Sequence, residues 1–187
     1  DQFVEYLKKN LLPKNPTAVS EAELKAWLDE PGIPAFAAKA QSRNFSSVDA
    51  ARIAFSGAGS LPGSQVTAEW GTQEWVRFID GLGTTLPLDK LAALDKAYHF
   101  TGTANGEIAM RWYPLTIRSG YTQANEAAGA FIERVGRRKL IMPIYAELVK
   151  TPEGLAFAKQ AFEKARPGYH PITTASVQDM LAKAEAK

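Results

Sequence analysis

Apolar residues recur at spacings of three and four over most of this chain, and the recurrence marks out one helix after another. Residues 72–82 place Trp75, Phe78, Ile79 and Leu82 on one face. Pro87 suits a first helical position, and Leu88, Leu91, Leu94 and Tyr98 continue the period after it. Segments 106–119, 122–135, 141–150 and 152–165 follow, each punctuated by Gly, Pro or Thr-Pro, and a last helical stretch runs from Pro171 to the terminus. Pro114 falls inside 106–119 and is expected to kink that helix or mark its restart.

The N-terminal part is less regular. Residues 2–12 read as a short helix with Phe3, Tyr6 and Leu7 on one face, stopped by Pro13 and Pro16. Ser20 with Glu23 makes a capping box, opening a helix expected to turn Leu24, Trp27 and Leu28 inward and to end at Pro31-Gly32. The stretch PGIPAFAAKAQSRN has no period and reads as an extended crossing packed by Ile33 and Phe36. A helical stripe of Val48, Ala51, Ile53, Ala54 and Phe55 then runs into the glycine-bearing loop 57–63. No alternation of period two competes anywhere. The sum is about eight or nine helices of roughly 10–14 residues with short links. The expected fold class is all-α, with antiparallel helix pairs in two layers forming an α-α superhelix. No repeat of fixed period is found, so the stack is inferred from the succession of helices alone.

Composition narrows the function classes. At 187 residues and 45% apolar content the chain can bury a core as one domain with a short appended segment. Its net charge of +2 carries no argument for nucleic acid, because a nucleic-acid module spreads basic residues over a whole face. Without cysteine there is no disulfide, thiolate nucleophile or cysteine zinc site. No apolar run approaches the roughly 20 residues of a membrane helix, and DQFVEYLKKN is not a signal peptide. The chain reads as soluble, with no membrane partner, and of the compartments left open the cytoplasm is favoured. It begins without Met, in mid-pattern of an amphipathic helix, as expected of a piece of a longer product.

Signatures of a self-contained enzyme are missing: no HExxH, GxSxG, P-loop or GxGxxG after a strand. His99 and His170 stand too far from other ligand types to make a metal site and read as a helix-end and a corner residue. Trp27, Trp70, Trp75 and Trp112 read as core. Glu107 and Arg111, four apart, read as an intrahelical ion pair, or as a tie between layers if buried. One basic cluster stands out. Arg134, Arg137, Arg138 and Lys139 fall within six residues, with Gly136 among them and Pro143 after them, at a break between two helical segments. On one reading Arg134 complements a helix C-terminus, Gly136 is a left-handed cap and the rest is a solvated turn. On the other, cations just before a helix N-terminus repel it unless an anion sits between them, and a guanidinium with a nearby ammonium suits a carboxylate.

The segments YHFTGTANGEIAMRWYPLTIRSGY, GRRKLIMPIYAEL and YHPITT, with WLDEPGIP near the start, together resemble the C-terminal helical domain of the leukotriene A(4) hydrolase/aminopeptidase family. The resemblance runs in order over nearly the whole chain and is weakest between about 58 and 70. It implies an armadillo-like helical domain of a gluzincin zinc aminopeptidase. Residues 1–34 would be the tail of the preceding thermolysin-like catalytic domain and a connector, and 35–187 the helical domain. It also implies that zinc and the catalytic residues lie in domains outside this chain, so that the fragment alone is inactive and holds no cofactor. Short peptides would be the substrate, with Arg137 and Lys139 matching the family's carboxylate-binding Arg and Lys and orienting the peptide for a metal-activated water. Arg138 departs from the uncharged residue expected between them. The competing reading is a free-standing α-solenoid scaffold for a protein partner.

Overall fold

The computed structural model describes residues 2–39 and 43–186, and every regular element among them is helical. The chain divides into two compact units, Asp1–Gln41 and Ser42–Lys187.

In the first unit α1 (Gln2–Asn10) is followed by a 3₁₀ turn, Leu12–Lys14, and by α2 (Glu21–Asp29). The capping box forms as expected: Ser20 Oγ accepts from the Glu23 N–H at 3.2 Å, and Glu23 Oε2 accepts from the Ser20 N–H at 2.8 Å. Lys8 pairs with Glu21. Leu24 is buried, but Trp27, Leu28, Ile33 and Phe36 are exposed, against the expectation that they pack inward. A unit of two short helices has too little surface to cover both stripes. Trp27 instead meets Phe36 edge-on at 6.3 Å.

The second unit holds α3 (Arg43–Ala58), α4 (Ser64–Thr67), α5 (Thr72–Asp80), α6 (Leu88–Tyr98), α7 (Gly106–Arg118), α8 (Asn125–Arg134), α9 (Arg138–Leu148), α10 (Pro152–Ala165) and α11 (Pro171–Glu185). Val48 and Phe55, seven apart, form the buried stripe of α3, whereas Ile53 and Ala54 lie off it and are exposed. The short α4 has no periodic signal in the sequence. Pro87 is the N-cap of α6, in extended backbone, and not its first helical residue. His99 closes α6 in the left-handed region (φ 53°), its N–H donating to the Asp95 carbonyl at 2.8 Å.

Two prolines lie inside helices. α7 runs unbroken through Pro114, and α9 starts at Arg138 and runs through Pro143, so neither proline ends a helix. Each removes one backbone donor, but the buried stripes carry the helices past the gap. In α9 that stripe is Leu140, Ile141, Ile144, Tyr145 and Leu148.

Helices α3, α5, α7, α9 and α11 lie side by side in a row, each packed on the next, while α8 and α10 pair with each other and pack onto α7, α9 and α11. Between them lies one core, with Trp112, Tyr113, Leu115, Ile132, Ile141, Ile144 and Tyr145 all but fully buried. The hydroxyls of Tyr145 and Tyr169 meet at 3.3 Å, and Tyr169 donates to the Ile132 carbonyl at 2.8 Å. Burial pushes the Tyr169 phenol up to about 12 and raises that of Tyr145 further. Both therefore stay neutral hydrogen-bonding groups at physiological pH.

Gly154 lets the start of α10 turn against the end of α9: a Cβ there would fall onto the Leu148 carbonyl oxygen, and backbone cannot give way as a side-chain tip can. Gly154→Ala is therefore expected to destabilise the chain by about 1–3 kcal/mol or more in denaturant unfolding. Gly57→Ala, in the last turn of α3 with open space around it, should stabilise it by about 0.4–1 kcal/mol.

Candidate functional site

The basic cluster is not a solvated turn. Val135 ends α8 in extended backbone (φ −107°, ψ 105°), and Gly136 has no left-handed conformation, which corrects the cap expected there. The Gly136 carbonyl accepts from Thr173 Oγ1 at 3.2 Å, tying the connection to the start of α11. Arg137 is the N-cap of α9, and Arg138 and Lys139 are its first two helical residues.

The cations then part company. Arg134 sits in the last turn of α8, where a positive charge suits the carbonyl end of the helix. Arg138 Nε donates to Ser176 Oγ on α11 at 2.8 Å. Lys139 Nζ donates to Glu107 Oε1 on α7 at 2.6 Å. Arg137 is exposed, and its guanidinium has no hydrogen bond or ion pair among the described residues.

Glu107 and Arg111 do form the expected intrahelical pair, Nη1 to Oε2 at 3.2 Å, but they belong to a longer chain of charges. Arg111 Nε reaches Asp80 Oδ2 on α5 at 3.0 Å, and its Nη1 also donates to the Glu107 carbonyl at 2.9 Å. Asp80, Arg111, Glu107 and Lys139 thus alternate in sign across α5, α7 and α9. Asn105 fixes the start of α7: its Oδ1 accepts from the Glu107 N–H at 3.0 Å, and its Nδ2 donates to Thr72 Oγ1 on α5 at 2.8 Å. The hydrogen bond from Lys139 holds the Glu107 carboxyl below its ordinary range; burial opposes it as the next largest effect, and the Lys139 charge and then Arg111 add to the lowering.

The sequence signals only part of this. Glu107 with Arg111 is visible as a spacing of four, but Asp80 and the cross-helix bond to Lys139 carry no local signature. His170 is the hydrogen-bonded corner residue expected, its Nδ1 accepting from the Ile172 N–H at 3.2 Å at the start of α11. Trp70 and Trp112 are buried, while Trp27 is exposed. A groove of about 1130 Å³ between α9, α10 and α11 is lined by Arg138, Met142, Ser176 and Met180 among others, and Arg137 and Lys139 are not part of it. Among the described residues no group of three His, Cys, Asp or Glu can hold a metal ion, and no helix is long and apolar enough to cross a membrane.

Layered helices with a basic helix start at the surface define an all-α domain. The family described as leukotriene A4 hydrolase, C-terminal, matches residues 70–181, and the chain belongs to it. Similar proteins include leucine aminopeptidase 2 of Neurospora crassa, 29% identical over 67% of this chain and 19% of that protein. Leucine aminopeptidase 2 of Lodderomyces elongisporus is 26% identical, over 96% of this chain and 31% of that protein. The leukotriene A-4 hydrolase of Xenopus laevis is 30% identical over 47% of this chain and 14% of that protein. The solved structure of native yeast LTA4 hydrolase shares the fold with a TM-score of 0.73 at 19% identity, over 96% of this chain and 32% of that one. The chain thus spans less than a third of the length of each.

A carboxyl held below its ordinary value adds stability above that value and loses it as the pH falls through the depressed one. Glu107→Gln should therefore be less stable than the parent chain in urea at pH 7, with the gap closing below about pH 4. A gap of the same size at pH 3 would show that the ionised carboxylate is not what Glu107 contributes.

Proposed function

We propose that this domain forms one wall of the substrate channel of an aminopeptidase, where Arg137 and Lys139 hold the C-terminal carboxylate of a short peptide. The observation that carries the reading is the unpartnered Arg137 guanidinium at the N-terminus of α9, two residues from an ammonium already held in place. The helix end adds its own positive potential, so an anion between Arg137 and α9 relieves a repulsion. Lys139 has three donors, of which Glu107 takes one, leaving two for a substrate. Arg138 is turned to Ser176, so its departure from the uncharged residue of the family leaves the other two free to act as a pair.

The reading assigns residues 1–34 to the tail of a preceding catalytic domain and its connector, and 35–187 to the helical domain. Aminopeptidase chemistry of this family implies zinc, and the described residues do not fit it: no cluster of His, Asp or Glu is available to bind it. In this reading the metal and the reacting groups lie in a thermolysin-like catalytic domain, the partner of this one. The contribution of the helical domain is to orient the peptide, which lowers the entropic part of the barrier without touching the scissile bond.

In the enzyme carrying this domain, Arg137→Ala should depress kcat/KM for a tripeptide about 10–100-fold, the worth of a charge-assisted hydrogen bond, while an amide substrate lacking the carboxylate is nearly unaffected. Equal loss on both substrates would refute carboxylate anchoring. The purified chain by itself should show no bound zinc by elemental analysis and no peptidase activity; stoichiometric zinc would contradict the division of labour.

A further inference from the structure

Lys139 is half exposed, and a lysine loses more rotamer freedom on being fixed than almost any other side chain. Solvent does not fix it, but Glu107 does. Glu107 is in turn held by Arg111, and Arg111 is clamped between the Glu107 carbonyl and Asp80. The four side chains balance in charge, so the net positive charge offered to an anion at this helix start comes from outside the relay. What the relay adds is direction.

We infer that Glu107 is a positioning residue: resting on the reading of Arg137 and Lys139 as carboxylate anchors, it aims the Lys139 ammonium, and Arg111 and Asp80 act through it. The substrate carboxylate then meets an ammonium whose remaining N–H groups already point in fixed directions, and the freezing of the lysine is complete before the peptide arrives. Gln at position 107 keeps an acceptor oxygen for Lys139 and removes the charge, whereas Ala removes both. The two variants therefore separate geometry from attraction.

The test is steady-state kinetics of the enzyme carrying this domain, on a tripeptide and on an amide substrate without a carboxylate. Glu107→Ala should raise the tripeptide KM about tenfold with kcat within about twofold, a scale set by the rotamer freedom of one lysine. The amide substrate should be unaffected, which also reports that the variant is folded. Glu107→Gln should recover most of the tripeptide KM, and Glu107→Ala should add nothing in a Lys139→Ala background. A tripeptide KM unchanged or lowered in both Glu107 variants, or a further rise in the Lys139→Ala background, would overturn the positioning role and leave the anchoring role standing. Loss of tripeptide selectivity in neither Arg137→Ala nor Lys139→Ala would remove the anchoring role itself, and this inference with it.

Discussion

Where α9 lies against α7, the Leu140 side chain sits so close to Gly106 that a Cβ there would meet its Cδ1 at 2.7 Å. Along the same contact Trp112, Tyr113, Leu115, Ile141, Ile144 and Tyr145 are all but excluded from water. Each large apolar side chain so buried contributes about 1.5–3 kcal/mol, whereas an exposed ion pair contributes about 0–1 kcal/mol. Burial along this seam therefore decides that the two helices pack, and the start of α9 goes where the seam puts it. Polar contacts at its ends, Glu107 with Lys139 and Arg118 with Glu147, cross-link the two helices.

The same division recurs along the row of helices. Asp49 pairs with Arg77 between α3 and α5, Asp80 with Arg111 between α5 and α7, Glu107 with Lys139 between α7 and α9, and Arg138 bonds Ser176 between α9 and α11. Every neighbouring pair in the row carries a cross-link over an apolar contact. At the α8 to α9 connection the consequence is a sorting of adjacent cations. One is tied to α7, one to α11, and Arg137 is left facing solvent without a partner. The run Arg137 to Lys139, uniform along the chain, is in space two structural ties and one open guanidinium.

Membership of the leukotriene A4 hydrolase C-terminal family gives that sorting its setting. This chain corresponds to less than a third of the length of those relatives. In the proposed reading the helical row is a rigid frame that carries an anion-binding edge to a site built elsewhere. Rigidity is then the useful property, because an anchor that moves by an ångström misplaces the peptide bond by as much.

Local pattern settled the class of fold. Spacings of three and four predict most of the helices of the second unit, Ser20 with Glu23 predicts the start of α2, and the ordered motifs reach the family. Pattern failed where a local rule met a tertiary override. Pro114 read as a kink or a restart, and the helix does not restart there, because burial of the stripe around it exceeds the loss of one backbone hydrogen bond. Trp27 and Ile33 read as packed, but two short helices cannot cover them. The composition of the basic cluster was plain from the residues alone. Which of its members is tied and which is open depends on Glu107 and Ser176, 32 and 38 residues away along the chain. Partners that distant meet only after the helices have packed, and no periodicity within one segment records them.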